Sequence, residues 1–181
     1  MISTILYQTV DDRRNIKYVL ENAPFKCTRD DAWLGEGYYF WDTFINCAHW
    51  WGKNSYGDKY MVCKTTCQYN ENEILDLVGN TKQIEQVRKY TTLLQAKKGR
   101  ALKACAIFNF MKRRPSFKYK AIRVNAINSY NNPDNHILFK KNNKAYLDLT
   151  PPIQFCVIDK AIITTPVDII YPIEYSEGFT I

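Results

Sequence analysis

The first third of the chain alternates between apolar and polar positions in the way that short strands and helices require. A period of two with aromatic or β-branched residues indicates half-buried strands, whereas a spacing of three or four indicates helices. The predicted strands are 2–9, 38–41 and 59–68. One helix is predicted from Asp11 or Asp12 to about Asn22, and another from a cap at Thr43 to Trp51.

The middle of the chain has a helical pattern instead. Apolar residues from Ile84 to Leu94 follow helical spacing and predict one helix. Gly99 predicts a break, and Pro115 ends a second helical run because proline has no amide hydrogen to donate. We therefore predict a helical insert over about residues 81–114.

The last third of the chain returns to strand patterns. The predicted strands are 120–127, 135–140, 153–159, 161–165 and 167–175. Strands followed by a helical insert and more strands differ from the regular alternation of a parallel α/β sheet. We expect an α+β fold in a single domain covering residues 1–181.

Composition is consistent with one globular domain in a reducing compartment. The chain has 181 residues, of which 46% are hydrophobic, enough to form a sizeable core. The first residues lack the basic start and apolar run of a secretory leader, and no apolar run is long enough to span a bilayer. We therefore expect a cytoplasmic protein with no membrane association, in which the six cysteines are mostly buried free thiols.

Positive charge is concentrated in one stretch. Residues 82–123 contain thirteen Lys or Arg and a single acid, Glu85, whereas the whole chain carries a net charge of +7. A basic block of this kind favours an acidic partner, either nucleic acid or an acidic protein face. A solvated basic helix face explains the same charges, and both interpretations stay open.

The segment with the clearest chemical meaning is 34–51. Gly35 and Gly37 form a tight turn whose backbone could approach a ligand closely, and an aromatic strand and a short helix follow. Aromatic rings such as Tyr39 on the strand and Trp50 on the helix can enclose a flat ligand ring. A cationic ring would gain about 1–2 kcal/mol of cation–π energy once desolvated.

This segment resembles the second motif of ADP-ribosyltransferases of the diphtheria-toxin and poly-ADP-ribose-polymerase type, with a bacterial or phage toxin-like character. Leu6-Tyr7-Gln8-Thr9 is similar to the family's first strand, and 153–158 to the late strand that carries its catalytic glutamate. The resemblance implies two small, packed, mainly antiparallel sheets and NAD as co-substrate. Separately, the histidines and cysteines do not have the spacing of a metal site, so we expect no metal.

The resemblance also implies a role for each matched residue. Tyr39 would stack on nicotinamide, and Gln8 and Gln154 would replace the histidine and the glutamate that bind the two riboses. It assigns catalytic positions to Gln8, Tyr39 and Gln154, and cofactor-binding positions to Tyr7, Gln8, Thr9, Gly37, Tyr39 and Trp50. In place of the family's glycine, the backbone of Thr9 would hold the carboxamide.

Three functions follow as expectations. The first is a mono-ADP-ribosyltransferase that modifies a protein or nucleic acid near the basic block. The second is a non-catalytic module that binds NAD, another nucleotide or nucleic acid, because Gln154 lacks the charge that stabilises a developing cation; such a loss costs a factor of about 10²–10³. The third is an NAD glycohydrolase, which needs no acceptor. Acids near the motif, Glu36 and Asp42, are alternative sources of negative charge.

Overall fold

The computed structural model describes residues 1–126, 133–140 and 145–176, and the α+β class is confirmed there. The helices are α1 (Ile16–Asn22), α2 (Ile45–Tyr56), α3 (Thr81–Lys98) and α4 (Ala104–Lys112). The strands are β1 (Ile2–Asp11), β2 (Tyr38–Asp42), β3 (Tyr60–Tyr69), β4 (Ile74–Asp76), β5 (Ala121–Asn125), β6 (His136–Leu138), β7 (Tyr146–Asp148), β8 (Ile153–Val157) and β9 (Asp168–Tyr171).

Seven of these strands form one sheet in the order β4-β5-β8-β2-β1-β3-β9. Only β4 and β5 run parallel, and every other neighbouring pair is antiparallel. The sheet is mainly antiparallel, as expected, but one large sheet of seven strands is present where two small packed sheets were expected. Strand β2 joins the two halves, because Tyr38 to Trp41 pair with β8 while Trp41 and Asp42 pair with β1. The remaining strands, β6 and β7, pair with each other.

The helical insert is confirmed, and it consists of two helices. The side chain of Asn80 accepts a hydrogen bond from the Gln83 amide and caps the start of α3. Gly99 ends α3 in the left-handed conformation at φ +64°, which glycine adopts without steric cost. Helix α4 ends at Lys112, three residues before Pro115.

Several predicted boundaries are wrong, and backbone geometry explains them. Strand β1 continues to Asp11, so α1 begins only at Ile16. Thr43 does not cap α2, because its φ is +64° and its hydroxyl donates to Asp42 instead. The predicted strand 161–165 forms a 3₁₀ turn at Lys160–Ile162. The predicted strand 120–127 ends at Asn125, and residue 127 lies outside the described residues.

Helices α2, α3 and α4 pack on the same face of the sheet. Leu75, Ile122 and Cys156 of the sheet contact Ile107 and Phe108 of α4. On the same face but further along the sheet, Trp41 and Val62 pack with α2. The opposite face is covered by α1 over β1 and β3, and by the 3₁₀ turn over β2 and β8. Within the described residues, no helix is long and apolar enough to cross a membrane.

Candidate functional site

The sheet opens between β1 and β2. The two strands pair at Leu6–Asp42 and Tyr7–Trp41, and the pairing ends there. Beyond this point the side chain of Gln8 bridges the gap, because its Nε2 donates to the Tyr39 carbonyl at 3.3 Å. A gap between strands exposes backbone and side chains that a continuous sheet would cover, so this is where a ligand can enter the sheet.

A cavity of about 660 Å³ lies at this gap, and we call it the β1–β2 cavity. Its walls come from β1, α1, the loop 23–37, β2, α2 and β8. Many of its side chains are aromatic, including Tyr18, Phe25, Trp33, Tyr39, Trp41, Trp50, Trp51 and Tyr56. A volume of this size, with mostly apolar walls and a few polar groups, is typical of a small-molecule site.

Five of the seven residues predicted from the resemblance line this one cavity. They are Gln8, Thr9, Tyr39, Trp50 and Gln154. They come from β1, β2, α2 and β8, and up to 146 positions separate them in the sequence. Their proximity is therefore a property of the fold, while their roles toward NAD stay predictions.

The other two predicted residues do not line the cavity. Tyr7 packs against the buried cluster that contains Trp41 and Val62, beside α2. Gly37 exchanges backbone hydrogen bonds with Cys27, and a Cβ at this position would lie 2.5 Å from Sγ of Cys156 on β8. The close approach that requires glycine here is therefore to β8 and not to a ligand. At Gly35, where φ is +76°, an added Cβ would collide with Asn109 of α4.

Gln8 is 6% exposed, and its amide is engaged with backbone. Its Nε2 donates to the Phe25 carbonyl at 2.9 Å, and its Oε1 accepts from the Phe25 amide at 2.7 Å. Together with the bond to Tyr39, these contacts fasten the loop 23–37 onto the sheet. The family's histidine binds a ribose at this position, whereas here the side chain serves the loop and keeps only one lone pair for a ligand.

Tyr39 lines the cavity, and its hydroxyl has a structural role. The hydroxyl donates to the Gly35 carbonyl at 2.7 Å and accepts from the Leu34 amide at 3.0 Å. Burial raises the pKa of this phenol, so it stays neutral. Thr9 likewise uses its side chain structurally, since its hydroxyl donates to the Ala48 carbonyl of α2 at 2.8 Å.

Gln154 is half-buried on β8, and its Oε1 accepts a hydrogen bond of 2.7 Å from Nε1 of Trp33. This contact joins residues 121 positions apart. Sequence reasoning assigned no role to Trp33, and nothing local in the sequence marks it. Trp50, the other predicted aromatic, packs edge-on against Trp41 with ring centroids 6.1 Å apart.

Two arginines stand at the rim of the cavity. Arg13 pairs with Asp11 at 2.7 Å, and Arg29 forms two bonds with Asp31 at 2.9 and 2.8 Å. Both guanidinium side chains are about three-quarters exposed. Hydrogen bonding to Arg29 lowers the pKa of Asp31, and Lys103 near the start of α4 acts in the same direction. Lys103, which lies between α3 and α4, therefore brings the middle of the basic insert near the rim.

The two acids considered as alternative charges lie elsewhere. Asp42 is 4% exposed and accepts hydrogen bonds from Arg123 at 2.7 Å and from Thr4 at 2.6 Å. Glu36 pairs with Lys26 on the surface. Neither carboxylate lines the β1–β2 cavity.

Eight exposed cations of the 82–123 block form no salt bridge within the described residues: Lys82, Lys97, Lys98, Arg100, Lys103, Arg113, Arg114 and Lys118. Others in the 82–123 block are neutralised, as Arg88 is by Glu85 and Lys120 by Glu73. All six cysteines are free, and Cys47, Cys63, Cys67 and Cys156 are buried.

No protein-family model matches this chain, and no curated protein or solved structure is significantly similar to it. The resemblance to ADP-ribosyltransferases therefore rests on the sequence motifs alone.

Proposed function

We propose that the β1–β2 cavity binds NAD and that the protein transfers ADP-ribose from NAD to a macromolecular acceptor. The observation that carries this proposal is the meeting of Gln8, Thr9, Tyr39, Trp50 and Gln154 in one cavity. These five positions were matched to NAD-contacting positions from sequence alone. A chance resemblance gives no reason for residues from four separate elements to share a cavity.

The walls of the cavity suit the two bases of a dinucleotide, and its rim suits the diphosphate. Aromatic side chains such as Tyr39 and Trp50 offer faces for nicotinamide and adenine, and a desolvated cationic ring gains about 2 kcal/mol from such a face. Arg13 and Arg29 offer planar donors for a diphosphate. Each arginine would exchange its exposed aspartate partner for phosphate, at small cost because exposed ion pairs contribute little.

The reaction replaces one glycosidic bond with another. The bond between C1′ of the ribose and the nicotinamide nitrogen breaks, and the nitrogen keeps the electron pair. A lone pair of the acceptor forms the new bond to C1′, and the acceptor's proton goes to solvent. A carboxylate near C1′ speeds such a step by stabilising positive charge. Gln154 has no charge to supply, so we expect slow turnover.

The acceptor would bind near the rim, on the side where Lys103 of the basic insert lies. Eight exposed cations form no salt bridge in the described part of the chain, and they lie on α3, between α3 and α4, and just after α4. They favour an acidic macromolecule, either nucleic acid or protein. Helix α4 also contacts the loop that forms a wall of the cavity, because Nζ of Lys112 donates to the Glu36 carbonyl at 2.8 Å.

A non-catalytic NAD-binding module is the second candidate, and a specific observation favours it. The two acids that line the cavity in the described part of the chain, Asp11 and Asp31, already pair with arginines. The amide of Gln8 is engaged with backbone, and the carbonyl oxygen of Gln154 with Trp33. The cavity therefore offers binding groups but no carboxylate poised for catalysis.

One assay separates these functions. The protein is incubated with NAD, with and without single-stranded RNA, DNA or an acidic protein, and both released nicotinamide and acceptor-bound ADP-ribose are measured. A transferase releases nicotinamide and labels one acceptor, whereas a glycohydrolase releases it at full rate without any acceptor. Turnover that appears only in Gln154→Glu identifies a binding module. No NAD binding and no turnover in either protein would overturn the proposal.

A further inference from the structure

The hydrogen bond between Trp33 and Gln154 determines which end of the Gln154 amide faces the cavity. An indole N–H can only donate, so the atom that it meets at 2.7 Å must be the carbonyl oxygen. The orientation of a glutamine amide is normally ambiguous, but a donor-only partner resolves it. Within the described residues, Nε2 of Gln154 has no hydrogen-bond acceptor, and Gln154 lines the cavity.

We infer that Trp33 is a positioning residue that turns the NH₂ group of Gln154 toward the ligand. This inference rests on the proposed function, because it concerns the same cavity. Gln154 then recognises a hydrogen-bond acceptor on the ligand, such as a ribose oxygen or a carboxamide carbonyl. The side chain acts in binding as a donor, although the family's glutamate at this position accepts.

The position of Trp33 is itself fixed from both sides. The amide of the next residue, Leu34, donates to the Tyr39 hydroxyl, and Gln8 holds Phe25 at the other end of the loop. Trp33 therefore sits on a loop that is attached to the sheet at two points. A rigid support of this kind keeps a hydrogen-bond partner in place before the ligand arrives, which lowers the ordering cost of binding.

The hydrogen bond can be tested in the free protein, without NAD. The indole proton of Trp33 is assigned by NMR from the signal lost in Trp33→Phe. We expect this proton to resonate upfield in Gln154→Met, which keeps the side-chain length but removes the acceptor, and to stay downfield in Gln154→Glu. An indole signal that is unchanged in Gln154→Met would overturn the inference, whether or not the protein binds NAD.

The consequence for binding is tested by a double-mutant cycle with NAD. We expect Trp33→Phe to raise the Kd about three- to tenfold, the usual effect of one hydrogen bond, and to have no further effect in the Gln154→Met background. Thermal unfolding of each variant controls for the fold. An equal loss of affinity in both backgrounds would show that Trp33 contributes its ring alone, and would overturn the positioning role.

The charge state of a substituted glutamate gives an independent readout. In Gln154→Glu the indole donates to the carboxylate, which stabilises its charged form. Adding Trp33→Phe should therefore shift the acid limb of the pH profile of that variant, for turnover or for NAD binding, to higher pH. If Trp33 had only a structural role, Trp33→Phe would lower activity or binding at every pH and leave the midpoint of the acid limb unchanged.

Discussion

At the residue scale, single side chains in this protein replace backbone contacts that the sheet has lost. Where β1 and β2 separate, the amide of Gln8 reaches both the Tyr39 carbonyl and the backbone of Phe25. A glutamine can do this because it donates and accepts at the same time, whereas a carboxylate only accepts. The resemblance predicts a ligand-binding role for Gln8, which stays a prediction, and the contacts add a structural role.

We predict that Gln8→Leu lowers the free energy of unfolding by about 2–3 kcal/mol, because it leaves the amide and carbonyl of Phe25 without their partners. Gln8→Glu should lose at least as much, since its second carboxylate oxygen would be buried against the carbonyl oxygens of Phe25 and Tyr39. Urea denaturation of both variants checks this order. A Gln8→Leu protein that is as stable as wild type but does not bind NAD would contradict the structural role and show that Gln8 acts on the ligand.

The buried carboxylate of Asp42 makes Arg123 more important than an ordinary surface arginine. Asp42 is almost fully buried, and Arg123 supplies its opposite charge at 2.7 Å. We predict that Arg123→Met costs about 3–5 kcal/mol of stability, the usual penalty for leaving a buried charge unpaired. The matched control is Arg88→Met, whose exposed pair with Glu85 should contribute less than about 1 kcal/mol. Equal losses in the two variants would contradict this account.

At the element scale, the segment around the turn Gly35-Glu36-Gly37 could be predicted only in part. The glycines, the aromatic strand and the following helix were all predicted, as was the insert with its break at Gly99. The structural reason for the two glycines was not predicted. Their neighbours are Cys156 and Asn109, more than seventy positions away, and such contacts follow from tertiary packing that no local pattern encodes.

We predict that Gly37→Ala destabilises the protein by at least about 2 kcal/mol, because the new Cβ would overlap Sγ of Cys156 and the Val157 carbonyl. Gly99→Ala is the matched control. Its Cβ meets nothing within 4 Å, so only the left-handed φ matters, at about 1 kcal/mol. Thermal unfolding compares the two. A stable Gly37→Ala protein that has lost NAD affinity would show instead that this glycine serves the ligand.

At the scale of the whole molecule, the α+β class, the basic insert and the grouping of five site residues could be predicted from the sequence. The seven-stranded sheet could not, because it depends on β2 pairing with both β1 and β8. Trp33, Arg13 and Arg29 were also missed. They lie on loops without a repeating pattern, and only the folded chain brings them to the cavity.

The basic insert leads to a prediction about salt. If it binds nucleic acid, the logarithm of the association constant should fall linearly with the logarithm of salt concentration. Replacing Lys97, Lys98 and Arg100 with glutamine should reduce that slope by about two to three, since each phosphate contact contributes about 0.7–0.9. Arg88→Gln should change it less, because Glu85 already neutralises Arg88. Titrations of a fluorescent single-stranded nucleic acid at several salt concentrations check both predictions. Equal slopes for wild type and the two variants would show that Lys97, Lys98 and Arg100 do not contact the nucleic acid.

The central claim is that NAD occupies the β1–β2 cavity, and titration calorimetry tests it most directly. Wild type is compared with Trp50→Ala, which removes a cavity wall, and with Leu93→Ala, an exposed residue of α3 outside the cavity lining. We predict that wild type and Leu93→Ala bind NAD with the same Kd, and that Trp50→Ala binds at least tenfold more weakly. No heat of binding in wild type, or equal affinity in all three proteins, would contradict the claim.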